Sequence, residues 1–145
     1  MANIFKHAIV SIVIALLAGW VAFVAIHAGL IFLVPHGPHF APEVGPSGAF
    51  LIFGAVYTGF YLADFALIAV PLYFIHFRRP IRPWQAALWG AALFALSVPV
   101  WCVICRHLYF QDMLSGSAIA VIPGSVSFYV LARLKPPNVS DEKPA

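Results

Sequence analysis

FLIFGAVYTGFYLADFALIAVP, residues 50–71, decides how this chain is read. Almost every side chain in it suits a lipid environment, and Asp64 is its only charge. At about 100° per residue, Phe50, Gly54, Tyr57, Tyr61, Asp64, Ile68 and Pro71 fall on one helical stripe. That stripe holds both phenols of the stretch together with its acid. An ionisable side chain near the bilayer midplane costs at least ~2.5 kcal/mol and faces a bundle interior or a water-filled cavity rather than lipid. The other apolar segments are therefore expected to shield Asp64.

Outward from this stretch the composition agrees. The 145 residues are 63% hydrophobic and only 9% charged, against roughly 25% charged for a soluble domain. Four apolar runs, about residues 8–34, 48–76, 84–105 and 114–134, take up most of the chain. The fold class expected is an all-α integral membrane protein: four transmembrane helices in a compact bundle, joined by short loops. The membrane domain covers residues 1–135, and the polar, proline-rich residues 136–145 are expected to be a disordered tail. The first run is about twice the ~7–15-residue apolar core of a signal peptide, and reads as a retained span. No room is left for a soluble catalytic domain, so an enzyme is not the expectation.

Lys and Arg give the orientation. Lys6, Arg78, Arg79, Arg82, Arg133, Lys135 and Lys143 fall on one side of a four-span arrangement, and only Arg106 on the other. By the positive-inside bias both termini are cytoplasmic, and a bacterial inner membrane is the expected location. The net charge of +3 is accounted for by topology and points to no nucleic acid. The lipid bilayer is the partner the sequence implies. At this size a homo-oligomer or a larger membrane complex is the expected working form.

Asp64 leads the candidate site residues. Burial disfavours the charged carboxylate, so the group is suited to exchanging a proton or binding a cation. Tyr61 and Tyr57, about one and two turns away, and His27 of the first run are its candidate polar surroundings. The plain alternative is a protonated Asp64 bonded to a neighbouring Tyr, Ser or carbonyl and serving only packing. For His27 it is a neutral imidazole bonded to a carbonyl.

Pro71, Pro99 and Pro123 each remove a backbone donor and invite a kink. Ser125, Ser127 and Tyr129 offer interhelical hydrogen-bonding groups. Small residues recur four apart as Ala18 and Ala22, Ala55-Gly59-Ala63, Ala87-Ala91-Ala95 and Gly116-Ala120-Gly124, a spacing that lets helices approach closely in lipid.

Trp101-Cys102-Val103-Ile104-Cys105-Arg106-His107 closes the third run. Its Cys-x-x-Cys resembles that of the quinone-linked disulfide-forming membrane proteins of the DsbB family, which are also four-helix bundles. The likeness covers four residues, and the second, outer cysteine pair those enzymes need has no counterpart here. Redox-active cysteine pairs also favour a helix N-terminus, whereas this pair ends its helix. The bland reading is two small apolar side chains. A metal reading would gather His36, His39 and His107 with Cys102, Cys105 and Glu43 at the outer face. Histidines spaced His-x-x-His in a Pro/Gly loop read equally as solvated loop residues, and the sequence assigns no cofactor.

The expected functions are thus three. The first is a transport or permeation component using Asp64 for proton or cation handling. The second is a non-catalytic membrane partner of the assembly, regulatory or immunity type. The third is an outer-face thiol-redox or metal-handling protein using Cys102 and Cys105.

Overall fold

The structure, a computed structural model, describes residues 2–33, 45–75, 81–106 and 110–134. The described chain is helical throughout, with no strand. Its order is α1 (Ala2–Leu33), α2 (Gly45–Asp64), a π-helical turn (Phe65–Ala69), α3 (Val70–Ile75), α4 (Pro83–Ile104) and α5 (Phe110–Arg133). The π turn joins α2 to α3 without a break, so the three form one continuous second span. Four helical stretches are long and apolar enough to cross a membrane: Lys6–Phe32, Phe50–Phe74, Pro83–Ile104 and Met113–Arg133. Leu51, Leu67, Leu88, Trp89, Leu96 and Leu114 stand exposed on their outer faces, which suits lipid. The loop at residues 34–44 and the tail at residues 135–145 lie outside the described residues, as do His36, His39, Glu43, His76 and His107.

The helix ends follow from local chemistry. Pro83 opens α4 at the first helical position, where a missing N–H costs nothing. The Arg82 N–H donates back to Gln85 Oε1 at 3.3 Å, which serves one end group of the helix. At the far end Cys105 N–H bonds to the Trp101 carbonyl at 2.8 Å, and Arg106 turns left-handed at φ 56°.

α4 and α5 meet most closely at Gly90 and Gly124. A Cβ on Gly90 would run into the Gly124 carbonyl oxygen, and one on Gly124 would lie 2.8 Å from Phe94 Cβ. Only glycine permits that approach. Phe94 and Phe128 then pack edge to face beside the crossing, their ring centroids 6.3 Å apart. α1 closes on α5 at Gly19, where a Cβ would meet Ser127 Oγ and the Tyr61 hydroxyl, and the Pro123 carbonyl at 2.9 Å.

Pro71 and Pro99 have different consequences. Pro71 has no N–H, and its ring crowds the carbonyl four residues back; the helix widens into the π turn over the residues just before it. The extra residue in that turn rotates everything after Asp64. Of the expected stripe, Tyr61 and Asp64 are buried, Phe50, Gly54 and Ile68 are half-buried, and Tyr57 is exposed. Ala69 and Tyr73 are buried, and Pro71 is exposed. Pro99 deprives the Ala95 carbonyl of its usual helical donor. Ser117 Oγ of α5 donates to that carbonyl at 2.9 Å, the kind of repair by which membrane helices tolerate proline.

Candidate functional site

Asp64 ends α2, and only 7% of its surface is exposed. Two residues of α4, one turn apart, hold its carboxyl. The Ser97 hydroxyl donates to Oδ2 at 2.7 Å, and Trp101 Nε1–H donates to Oδ1 at 2.6 Å. The same Ser97 Oγ lies 2.8 Å from the Phe94 carbonyl on its own helix. The Trp101 ring packs against Phe60, centroids 5.1 Å apart, which fixes the indole over the acid. Each hydrogen bond to an ionised carboxyl contributes about 1.5–3 kcal/mol. Two such bonds offset much of the several-kcal/mol cost of a buried ion. No charged side chain among the described residues acts on Asp64.

The residues expected around Asp64 are distributed otherwise. The Tyr61 hydroxyl donates to the Leu16 carbonyl of α1 at 2.9 Å and lies 2.9 Å from Ser127 Oγ of α5. Ser127, fully buried, also donates to the Pro123 carbonyl at 2.7 Å. Tyr61 is thus the post on which α1, α2 and α5 converge. Its ring stacks on Phe23 at 5.9 Å and tilts against Phe94 at 5.7 Å. His27 is 9% exposed. It lies 4.4 Å from the Phe23 ring and 5.1 Å from the Tyr57 ring. Its Nδ1 is buried and makes no well-formed hydrogen bond; the Phe23 carbonyl one turn back is the group beside it. Phe23 and Tyr61 thus stand in one aromatic row with His27 and Tyr57, separate from the hydrogen bonds of Asp64.

Ser127 fulfils its expected interhelical bonding. Tyr129 instead receives Arg133 Nη2 at 3.0 Å and Arg133 Nε at 3.2 Å on its own helix. Cys102 is half-buried and Cys105 exposed, and both are free thiols. No group of three or more His, Cys, Asp and Glu side chains that could hold a metal occurs among the described residues. The histidines of the expected outer-face cluster lie outside them.

Sequence reading missed the two residues that touch the acid. Ser97 is one hydroxyl in an apolar helix, and Trp101 looked like part of the cysteine motif. The available signal was their spacing of four, which puts an O–H and an N–H donor on one face of α4. No family model, curated protein or solved structure matches this chain.

Proposed function

We propose that this protein is a small transport or permeation component that handles protons or cations through Asp64. One observation carries the reading. A carboxyl buried inside an apolar span is bound by two uncharged donors from a neighbouring span and, among the described residues, by no counter-ion. Acids within spans are rare and commonly mark ion or proton paths. The π turn that follows directly adds support, because such turns concentrate at functional positions. In this reading the four spans form a compact bundle with both termini cytoplasmic, as the Lys and Arg distribution favours. The location is a bacterial inner membrane, and the working unit is an oligomer or part of a larger complex.

The test is flux. Purified protein is reconstituted in liposomes enclosing a pH-sensitive dye, and a pH step or a potassium diffusion potential is applied. The wild type is expected to pass protons or cations, and Asp64→Asn to abolish the flux with helix content unchanged by circular dichroism. Equal flux through Asp64→Asn removes Asp64 from the function.

A further inference from the structure

We infer that Asp64 takes a proton rather than a metal cation, and that Ser97 is the positioning residue that lets it gain and lose that proton without moving a heavy atom. The choice of ion deepens the transport reading and rests on it; the role of Ser97 rests on geometry alone.

Three short contacts surround the acid: Trp101 Nε1 to Oδ1, Ser97 Oγ to Oδ2, and Ser97 Oγ to the Phe94 carbonyl. Indole supplies one hydrogen and a hydroxyl supplies one. With Asp64 ionised, two hydrogens serve three contacts. Ser97 O–H points at Oδ2 at 2.7 Å, and its 2.8 Å contact with the Phe94 oxygen carries no hydrogen of its own. Adding one proton to Oδ2 completes the set. The new Oδ2–H donates to Ser97 Oγ, and the Ser97 hydrogen turns to the Phe94 carbonyl. One O–H bond forms at Oδ2 as one breaks in the proton's donor, a hydronium ion delivered from the aqueous phase, and no other covalent bond changes. Only the Ser97 hydroxyl rotates, so α2 and α4 stay joined in both states.

The same atoms are poor ligands for a metal ion. Hard cations such as Ca²⁺ and Mg²⁺ gather six or more oxygens around themselves, with Ca²⁺–oxygen distances near 2.3–2.6 Å. Oδ1 faces an N–H, whose positive end repels a cation. On the Oδ2 side the hydroxyl of Ser97 is the neighbouring ligand, and its carbonyl partner sits within helix α4. The groups facing Asp64 from α4 are Ser97 and Trp101, neither of them charged. Tyr61, the nearest titratable group on its own helix, is bonded to Leu16 and Ser127 instead. A proton fits the 2.7 Å space between Oδ2 and Ser97 Oγ; a metal ion with several oxygen ligands would have to displace the Ser97 hydroxyl.

The experiment is infrared difference spectroscopy of the whole protein in lipid bilayers across a pH series, with Asp64→Asn as the reference. A protonated-carboxyl C=O band is expected to appear and disappear with pH. It should stay unchanged when choline is replaced by sodium, potassium or calcium at fixed pH. Ser97→Ala is expected to move the band to higher wavenumber, since Oδ2–H loses its acceptor, and Ser97→Thr to restore it. A band that never changes with pH overturns the proposal, as does a band converted to carboxylate by a metal ion at fixed pH. If Ser97→Ala does not fold, the cation series on wild type and the band position in Ser97→Thr still decide. Flux that persists in Asp64→Asn, beside a band that behaves as described, would remove transport and leave the proton site standing.

Discussion

α4 and α5 are held together backbone to backbone, whereas the second span is attached to its neighbours by side-chain tips. At Gly90 and Gly124 there is no room for a single added carbon. Around Tyr61 and Asp64 the joints are hydroxyls, an indole and a carboxyl. The first contact contains no titratable atom, so no proton can alter it. The second contains Asp64, and it lies beside a π turn and a proline. The α4–α5 pair is set by backbone contact, while the second span is adjustable only in that its side-chain hydrogen bonds can be redirected; substitutions at each contact should separate the two.

The largest effect belongs to the glycine crossing. Gly124→Val drives new carbon atoms into the Gly90 carbonyl and the Phe94 side chain. Overpacking of this kind is expected to cost about 3 kcal/mol, seen as early loss of the folded form in an SDS titration in mixed micelles. Wild-type stability in Gly124→Val would show that the α4–α5 crossing has room for a larger side chain. Tyr61→Phe comes next, because it removes the post shared by three helices. The expected loss is about 1 kcal/mol, and a double-mutant cycle with Ser127→Ala should give a coupling of ~0.6 kcal/mol, the usual size for such bonds in membranes. Coupling indistinguishable from zero would mean that the rings, not the hydroxyls, hold the second span.

Ser117→Ala sharpens a different point. Its hydroxyl serves the carbonyl that Pro99 leaves without a donor. We expect a loss of about 0.6 kcal/mol that shrinks when Pro99→Ala restores an N–H within α4. An equal loss in both backgrounds would show that Ser117 acts through packing instead.

The four apolar helices were legible because length and hydropathy alone mark a membrane span. Asp64 was legible for the complementary reason, that a charge in such a span has to be shielded. Faces were harder to read. In a soluble helix the polar side marks the outside, but lipid accepts the same residues as a protein core does, so the apolar pattern does not say which side is inward. Ala87-Ala91-Ala95 was a reasonable packing stripe, yet the buried line of α4 is Ala86, Gly90 and Phe94, one residue over. On α1 it likewise runs through Ala15, Gly19 and Phe23 rather than Ala18 and Ala22. Alanine is indifferent to the choice; glycine was the more informative residue at both crossings. The spacing of Ser97 and Trp101 puts two donors on one face of α4, but whether that face meets Asp64 depends on the phase of α4 relative to α2, which the sequence leaves open. The shift after Asp64 depends on how the chain accommodates Pro71, which local sequence leaves open between a kink and a wide turn.

The smallest expected effect lies on the second span's outward side, and it is the most exposed to surprise. Ala55 and Gly59 belong to the stripe of small residues on α2, and both are exposed. A Cβ added at Gly59 meets nothing within 4 Å. Enlarging such a position removes no contact within the chain, and a better helix former replaces a poor one. Gly59→Leu is therefore expected to change stability by no more than ~0.5 kcal/mol. The same SDS titration measures it, at two protein-to-lipid ratios so that association between copies registers as a concentration dependence. A null result at both ratios assigns this face to lipid and leaves the adjustable span free on that side. A loss of several kcal/mol that grows with protein concentration would mean that the stripe packs against another copy. The second span would then be clamped from outside, and the contrast with the glycine crossing would belong to the single chain rather than to the assembled protein.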